Sequence, residues 1–253
     1  MNTPPRVMIV AGSDSSGGAG IQADIRTVTM LGGYAMTAIT AITAQNTLGV
    51  QAVHAIPPEM LREQFVACAD DIGFDAIKIG MLASPAQAET LRELLAAQPD
   101  SMPIVFDPVM VATSGSVLAS GETIDAFTQL MELATLTTPN LAELDKLGGV
   151  EKLTDGGVTF LAKGGDVVGD QVTDTLHRPG REPVSWSAPR IETRHTHGTG
   201  CTLASAIACG LGAGLAMETA IDQARTFVRA ALAAAPGFGE GHGPMGHQAV
   251  MRS

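Results

Sequence analysis

The residues His197-Gly-Thr-Gly-Cys-Thr202 carry the clearest chemistry in the chain. Gly198 and Gly200 flank Thr199, and a run of small apolar residues begins at Leu203. A helix starting there leaves backbone N–H groups unpaired and adds roughly half a positive charge at its N-terminus. Such a place binds anions, phosphate above all. Cys201 would face the bound phosphate, and a helix N-terminus lowers a thiol pKa, which makes it a candidate base or nucleophile. An anion cradle with a reactive side chain inside it points to phosphoryl transfer. The plainer alternatives are an ordinary glycine-rich helix start and a small residue packed against a ligand.

The elements that must position this loop follow from the hydrophobic pattern. Val7 to Ala11 is a short apolar run ending at Gly12, as in a buried parallel strand. Gly12 to Gly20 is a loop that needs unusual dihedrals, and a helix over 19–31 follows, with Ile21, Ile25, Val28 and Leu31 on one face. Strands are expected over 34–43 and 50–56, with Pro57-Pro58 opening a helix whose stripe is Leu61, Phe65, Cys68 and Ile72. Strands over 76–79, 104–106, 136–138 and 158–162 alternate with helices over 85–97 and 122–133. That alternation means a parallel sheet with right-handed crossovers. Two or three short edge strands fit 167–187, and helices fit 199–212 and 217–235. The tail from Gly237 shows no strong periodicity. One three-layer α/β/α domain over 1–253 is the simplest account. Ligands of such sheets bind at the carboxyl ends of the strands, where Gln45, Met81, Asp107, Asn140 and Lys163 stand.

Composition narrows the partners. The chain has 253 residues, 45% of them hydrophobic and 16% charged, with a formal net charge of −11. An acidic chain of this kind argues against nucleic acid or an anionic membrane as its main partner. The stretches 27–58 and 199–217 carry no Asp, Glu, Lys or Arg, but glycines and polar residues break both, so they read as buried rather than membrane-spanning. Cys68, Cys201 and Cys209 offer neither a disulfide framework nor a zinc pattern, which fits a reducing cytoplasm. The six histidines are expected to be polar loop residues.

Taken in order, Ala11-Gly-Ser-Asp-Ser-Ser-Gly-Gly-Ala-Gly-Ile-Gln-Ala-Asp24, Thr43-Ala-Gln-Asn-Thr47, Lys78-Ile-Gly-Met81, Asp107-Pro-Val-Met110, Thr138-Pro-Asn-Leu-Ala-Glu143, Lys163-Gly-Gly165 and the Gly198 loop resemble the bacterial hydroxymethylpyrimidine/phosphomethylpyrimidine kinases. The resemblance spans almost the whole chain. It implies the ribokinase-like fold, ATP and Mg²⁺ as cofactors, an aminopyrimidine as the small-molecule substrate, and a homodimer. It places Cys201 as catalytic base, where related sugar kinases carry aspartate, with Gly198, Thr199 and Gly200 as the anion hole. Gln45 would read the pyrimidine, since a carboxamide offers a donor and an acceptor side by side; bonding to backbone is its plainer role. Gly12, Asp24, Met81 and Val109 match other substrate-pocket positions, though Asp24 also suits a solvated helix and Met81 and Val109 suit core. Asn140 and Glu143 have the spacing that positions Mg²⁺ and its waters, and that spacing is also a capping box. Asp107 and Lys163 would face metal and ATP phosphates. Two departures stand out: the segment 144–157 leaves room only for short turns where the family has a full helix, and Asp166 replaces a common histidine. A pyridoxal or pyridoxine kinase is the alternative within this fold, and a non-catalytic pyrimidine-binding protein is the alternative outside catalysis.

Overall fold

The computed structural model describes residues 3–111, 115, 118 and 120–250. Its strands are β1 (Arg6–Asp14), β2 (Tyr34–Asn46), β3 (Gly49–Ala55), β4 (Ala76–Ile79), β5 (Ile104–Phe106), β6 (Leu136–Thr137), β7 (Phe160–Ala162), β8 (Gln171–His177) and β9 (Val184–Pro189). They form one sheet in the order β3-β2-β1-β4-β5-β6-β7-β8-β9. Strands β2 through β7 of that order run parallel, while β3 pairs antiparallel at one edge and β8 and β9 at the other.

The period-two rule sorts the strand side chains into two layers. Met8, Val10, Ile77, Ile79, Ile104, Phe106 and Phe160 join one core. It is covered by α2 (Pro58–Asp71), α3 (Pro85–Ala96) and α4 (Gly121–Leu133). Val7, Ile9, Ala76, Val105, Leu136 and Leu161 join the other, beneath α1 (Gly20–Met30), α7 (Thr199–Gly212) and α8 (Met217–Ala233). The expected three-layer α/β/α fold is what forms. The segment after Glu143 folds as two short helices, α5 (Leu141–Lys146) and α6 (Gly149–Asp155), whose Leu144, Leu147 and Leu153 seal the first core.

Some expected details change. Ile25 and Leu31 are 38% and 36% exposed, because α1 turns Ile21, Ala23, Asp24, Thr27 and Val28 inward instead. Ile72 is also exposed, at the last turn of its stripe. The edge region holds two strands, β8 and β9, within the two or three expected. Cys209 is buried as expected, and Cys68 packs partly buried against the first core. No helix among the described residues is long and apolar enough to cross a membrane.

The tail, patternless in sequence, is tied down. Met245 and His247 are buried, the Gly246 N–H donates to the Ala231 carbonyl, and the His197 N–H donates to that of Gly243. His247 Nε2 lies 2.8 Å from Thr202 Oγ1, at the start of α7. Burial, with the Arg26 charge nearby, pushes the His247 imidazole down to about 4. A histidine held neutral in the fold but free to charge when unfolded leaves stability intact above about pH 6.5 and removes it as pH falls toward 4. The expected loss is on the order of 3 kcal/mol. Thermal unfolding followed from pH 7 to pH 4 should show it, and H247Q should flatten that slope while lowering the neutral-pH midpoint.

Candidate active site

The carboxyl ends of the parallel strands open onto a cavity of about 650 Å³. Two glycine loops make its floor. The first, residues 15–19, links β1, which runs three residues past its expected end, to α1; the second ends at Gly198, which caps α7 with φ of 87°. At Gly198 a Cβ would lie 2.0 Å from the Gly18 carbonyl oxygen, so the loops meet backbone to backbone. Gly20, with φ of 55°, would put a Cβ 2.3 Å from the Gly12 oxygen. No other residue type allows this approach.

The first-turn N–H groups of Gly200 and Cys201 have no helical acceptor, as an anion site at this helix end requires. Behind Cys201 lies a charged group that the motifs alone do not point to. Lys78, in the middle of β4, is wholly buried, with Nζ 2.8 Å from Asp24 Oδ2. Ser205 Oγ donates to Asp24 Oδ1 at 2.7 Å, which completes the cluster beneath α7. Gly80 leaves room for the amine, since a Cβ there would sit 2.8 Å from it. Burial weighs against the Lys78 charge, but Asp24, Cys201 and Asp107 together hold the ammonium above its ordinary range. Asp24 therefore does not line the cavity: both its oxygens are engaged inside the protein, and neither a substrate contact nor a solvated carboxylate describes it. The signal was present in Ala76-Ile-Lys-Ile79, because a lysine in a central apolar strand must find an anion.

Cys201 lines the cavity, but not as the thiolate expected from its helix position. Burial pushes its thiol up to about 11, outweighing the Lys78 charge and the Gly20 N–H directed at its sulfur. The helix end favours the anion, but desolvation opposes it more strongly.

Around Gly200 stand the groups expected to face phosphates. Lys163 Nζ lies 2.7 Å from Asp107 Oδ1 and 3.9 Å from Glu143 Oε2. The Thr138 hydroxyl donates to the same Asp107 oxygen at 3.1 Å. Asp107, Glu143 and Cys201 hold the Lys163 ammonium above its ordinary range, although burial opposes its charge. Asn140 and Glu143 do form the reciprocal capping box: Asn140 N–H donates to Glu143 Oε2 and Glu143 N–H to Asn140 Oδ1, each at 2.8 Å. Both also line the cavity, so the helical cap turns them toward it. Burial raises the Glu143 carboxyl, and Lys163 opposes that. No cluster of three metal donors exists among the described residues. Two carboxylates, Asp107 and Glu143, suit an ion that keeps most of its waters and takes few protein ligands.

The remaining wall carries Gln45, Gly12, Met81 and Val109, all lining the cavity as expected. Gln45 belongs to β2, which runs three residues past its expected end. His197 and His247 overturn the loop expectation for histidines: they are 5% and 0% exposed. His197 Nε2 lies 2.8 Å from Asp14 Oδ2. Farther along, Val172, Ile191, Val228 and Leu232 give the cavity an apolar lobe. Beside that lobe Arg225 donates to Asp174 Oδ2 at 2.7 Å, and Asp174 Oδ1 accepts from the Gly164 N–H at 3.0 Å. This buried pair, unmarked in the sequence, fixes the loop after Lys163.

The model of the family described as phosphomethylpyrimidine kinase matches residues 14–246. The chain belongs to that family. A relative from Streptomyces coelicolor, named hydroxymethylpyrimidine/phosphomethylpyrimidine kinase, is 44% identical over 259 residues, covering 97% of this chain and 95% of the relative. Among solved structures, the pyridoxal kinase of Staphylococcus aureus in complex with AMP-PCP and pyridoxal superposes with a TM-score of 0.88 at 30% identity, covering 98% of this chain and 95% of that one. The phosphomethylpyrimidine kinase of Clostridium difficile 630 gives 0.74 at 32% identity, covering 88% and 99%. Those neighbours confirm the ribokinase-like fold.

Removing one member of the Asp24–Lys78 pair strands a charge in the core, which costs about 3–5 kcal/mol. K78M and D24N should each lower the chemical-denaturation midpoint by that order. The double variant D24N/K78M should recover part of the loss, and strict additivity would contradict a direct pair.

Proposed function

We propose that the protein transfers the γ-phosphoryl group of ATP to the hydroxymethyl group of 4-amino-5-hydroxymethyl-2-methylpyrimidine, and then to the monophosphate so formed, in thiamine biosynthesis. The observation that carries this reading is a single cavity lined by Cys201, the Gly198–Gly200 anion loop, Lys163 and Gln45. Family membership and the named relative support the substrate.

In the first transfer, Cys201 sulfur takes the hydroxymethyl proton as the oxygen attacks the γ-phosphorus and the bond to the bridging oxygen of ADP breaks. The N–H groups of Gly200 and Cys201 and the Lys163 ammonium balance the charge on the moving group. Asp107 and Glu143, with Asn140 holding Glu143 in place, would keep a hydrated Mg²⁺, which when bound supplies further charge neutralisation on the phosphates. The apolar lobe of Val172, Ile191, Val228 and Leu232 would take the nucleotide base.

In the second transfer the acceptor is a phosphomonoester, whose second pKa is about 6. Its oxygen is already ionised near neutrality and needs no base.

Pyridoxal phosphorylation is a second reading, favoured by the better superposition on the Staphylococcus aureus pyridoxal kinase. The non-catalytic alternative depends on the shortened segment after Glu143, and that segment folds as α5 and α6 with its capping box intact. We also propose a homodimer through the β2–β3 edge, where Ile42, Leu48 and Val53 are 50%, 64% and 47% exposed, and a cytoplasmic location, which suits three free cysteines. Sedimentation at micromolar concentration distinguishes a dimer from a monomer.

ADP release with Mg-ATP, measured for the aminopyrimidine, its monophosphate and pyridoxal, tests the assignment. Turnover of pyridoxal alone would move it to vitamin B6 salvage. C201A should lose roughly 10²-fold or more in kcat on the alcohol and far less on the monophosphate. A base must be deprotonated to act, so kcat/KM on the alcohol should climb with pH and still be rising at pH 9, given a thiol near 11. In C201D that rise should finish below neutrality.

A further inference from the structure

Asp14 gathers the first glycine loop. Its Oδ1 accepts from Ser16 N and Ser16 Oγ, each at 2.8 Å, and its Oδ2 from Gly18 N at 3.0 Å and Ala19 N at 2.8 Å. Burial alone would raise this carboxyl, but His197, Ser16 and Ala19 hold it below the ordinary range. An ionised carboxylate only accepts, so His197 Nε2, 2.8 Å from Oδ2, carries a proton. The ring lies close over Gly18, where a Cβ would meet its Cδ2 at 2.3 Å.

That proton settles the orientation of a third side chain. The Gln45 carboxamide approaches the same Nε2 to 3.3 Å. The two ends of a carboxamide have the same shape, and only hydrogen bonds distinguish them. An amide NH₂ there would set donor against donor, whereas a carbonyl at 3.3 Å can share the N–H that His197 directs at Asp14 Oδ2. With the carbonyl toward His197, the NH₂ faces Thr43 Oγ1, at 3.1 Å. Thr43 Oγ1 lies 3.0 Å from the Ser13 carbonyl and donates its own proton there, which leaves its lone pairs to accept. The His197 N–H, the Thr43 hydroxyl and the amide N–H that faces Thr43 then each have an acceptor.

We propose that His197, locked by Asp14, is a positioning residue that fixes the Gln45 carboxamide end for end, so that the wall selects a heteroaromatic substrate carrying an amino group beside a ring nitrogen. This rests on the aminopyrimidine reading above. Thus fixed, the carboxamide offers the cavity one carbonyl lone pair and one N–H, side by side. A carboxamide free to turn would accept an aminopyrimidine and a pyridoxal ring with less distinction.

The test compares H197M, which removes the donor, with H197Q, whose amide nitrogen falls where Nε2 was. In H197M the KM for the aminopyrimidine should rise about tenfold, the value of one hydrogen bond. KM for ATP should stay within about twofold, and the preference over pyridoxal should shrink by the same factor. H197Q should restore most of it. T43V removes the other anchor of the carboxamide and should act in the same direction, which keeps the test open if H197M does not fold. An unchanged preference in both H197M and T43V, or equal losses toward ATP and pyrimidine, would overturn the proposal. A nitrogen-15 correlation spectrum of the substrate-free protein reads the tautomer without any substrate: the proton belongs on Nε2 of His197, and an Nδ1–H tautomer would refute the positioning. Wild-type protein that leaves the aminopyrimidine untouched would sink the substrate reading and the selection with it, while the spectrum still decides which way Gln45 is held.

Discussion

At Gly198 the left-handed backbone lies so close to the Gly18 carbonyl that only hydrogen can occupy the Cβ position. That single approach brings two distant stretches of chain into one floor. From one side it delivers Asp14 and the Gly20 N–H; from the other, His197, the anion loop and Cys201. The sheet supplies the rest, because parallel strands must all end at the same edge. Gln45, Met81, Asp107, Asn140 and Lys163 each stand at or just past a strand end, and each lines the cavity. Without the glycine contact those strand ends would face an open groove.

Charge is distributed in a way that answers the acidic composition. With a net charge of −11 the surface repels phosphates, yet the site has to attract them. Lys78, buried beneath α7, and Lys163, at the cavity, are each balanced by a carboxylate, and both interact with Cys201 in the first turn of α7. Balanced pairs cost less to bury than lone cations, and Lys163, which lines the cavity, stays within reach of an arriving anion. Burial acts in the opposite direction on Cys201, raising its thiol where a helix end alone would lower it. A base that is reluctant to ionise in the empty site is a stronger base once it does.

The fold was legible because its signals are local and periodic. Short apolar runs ending in glycine or Asp-Pro marked the parallel strands, and α7 began and ended where its glycines predicted. The anion loop and the strand-end polar residues were legible for the same reason. What escaped depends on partners far apart in sequence. Asp24 meets Lys78 across 54 positions and Ser205 across 181, and nothing near any of them announces the others. His197 looked like one more polar residue in a loop until Asp14, 183 positions away, came to meet it. Asn140 and Glu143 were ambiguous in sequence because a helix cap and a metal-positioning pair share one spacing, and the structure forms the cap while keeping both groups at the cavity. Ile25 and Leu31 misled because an apolar stripe shows which residues could be buried, not where the neighbouring helix stops covering them.

The docking of residues 243–247 also bears on the order of events during synthesis. The backbone that braces His197 belongs to Gly243, and the imidazole that meets the start of α7 belongs to His247. The sheet can be assembled from strands that leave the ribosome early, but these braces are among the last residues of the fold to appear. The central strands can therefore pair in a growing chain before these braces are available. The bracing of the site depends on residues that follow every strand of the sheet in sequence.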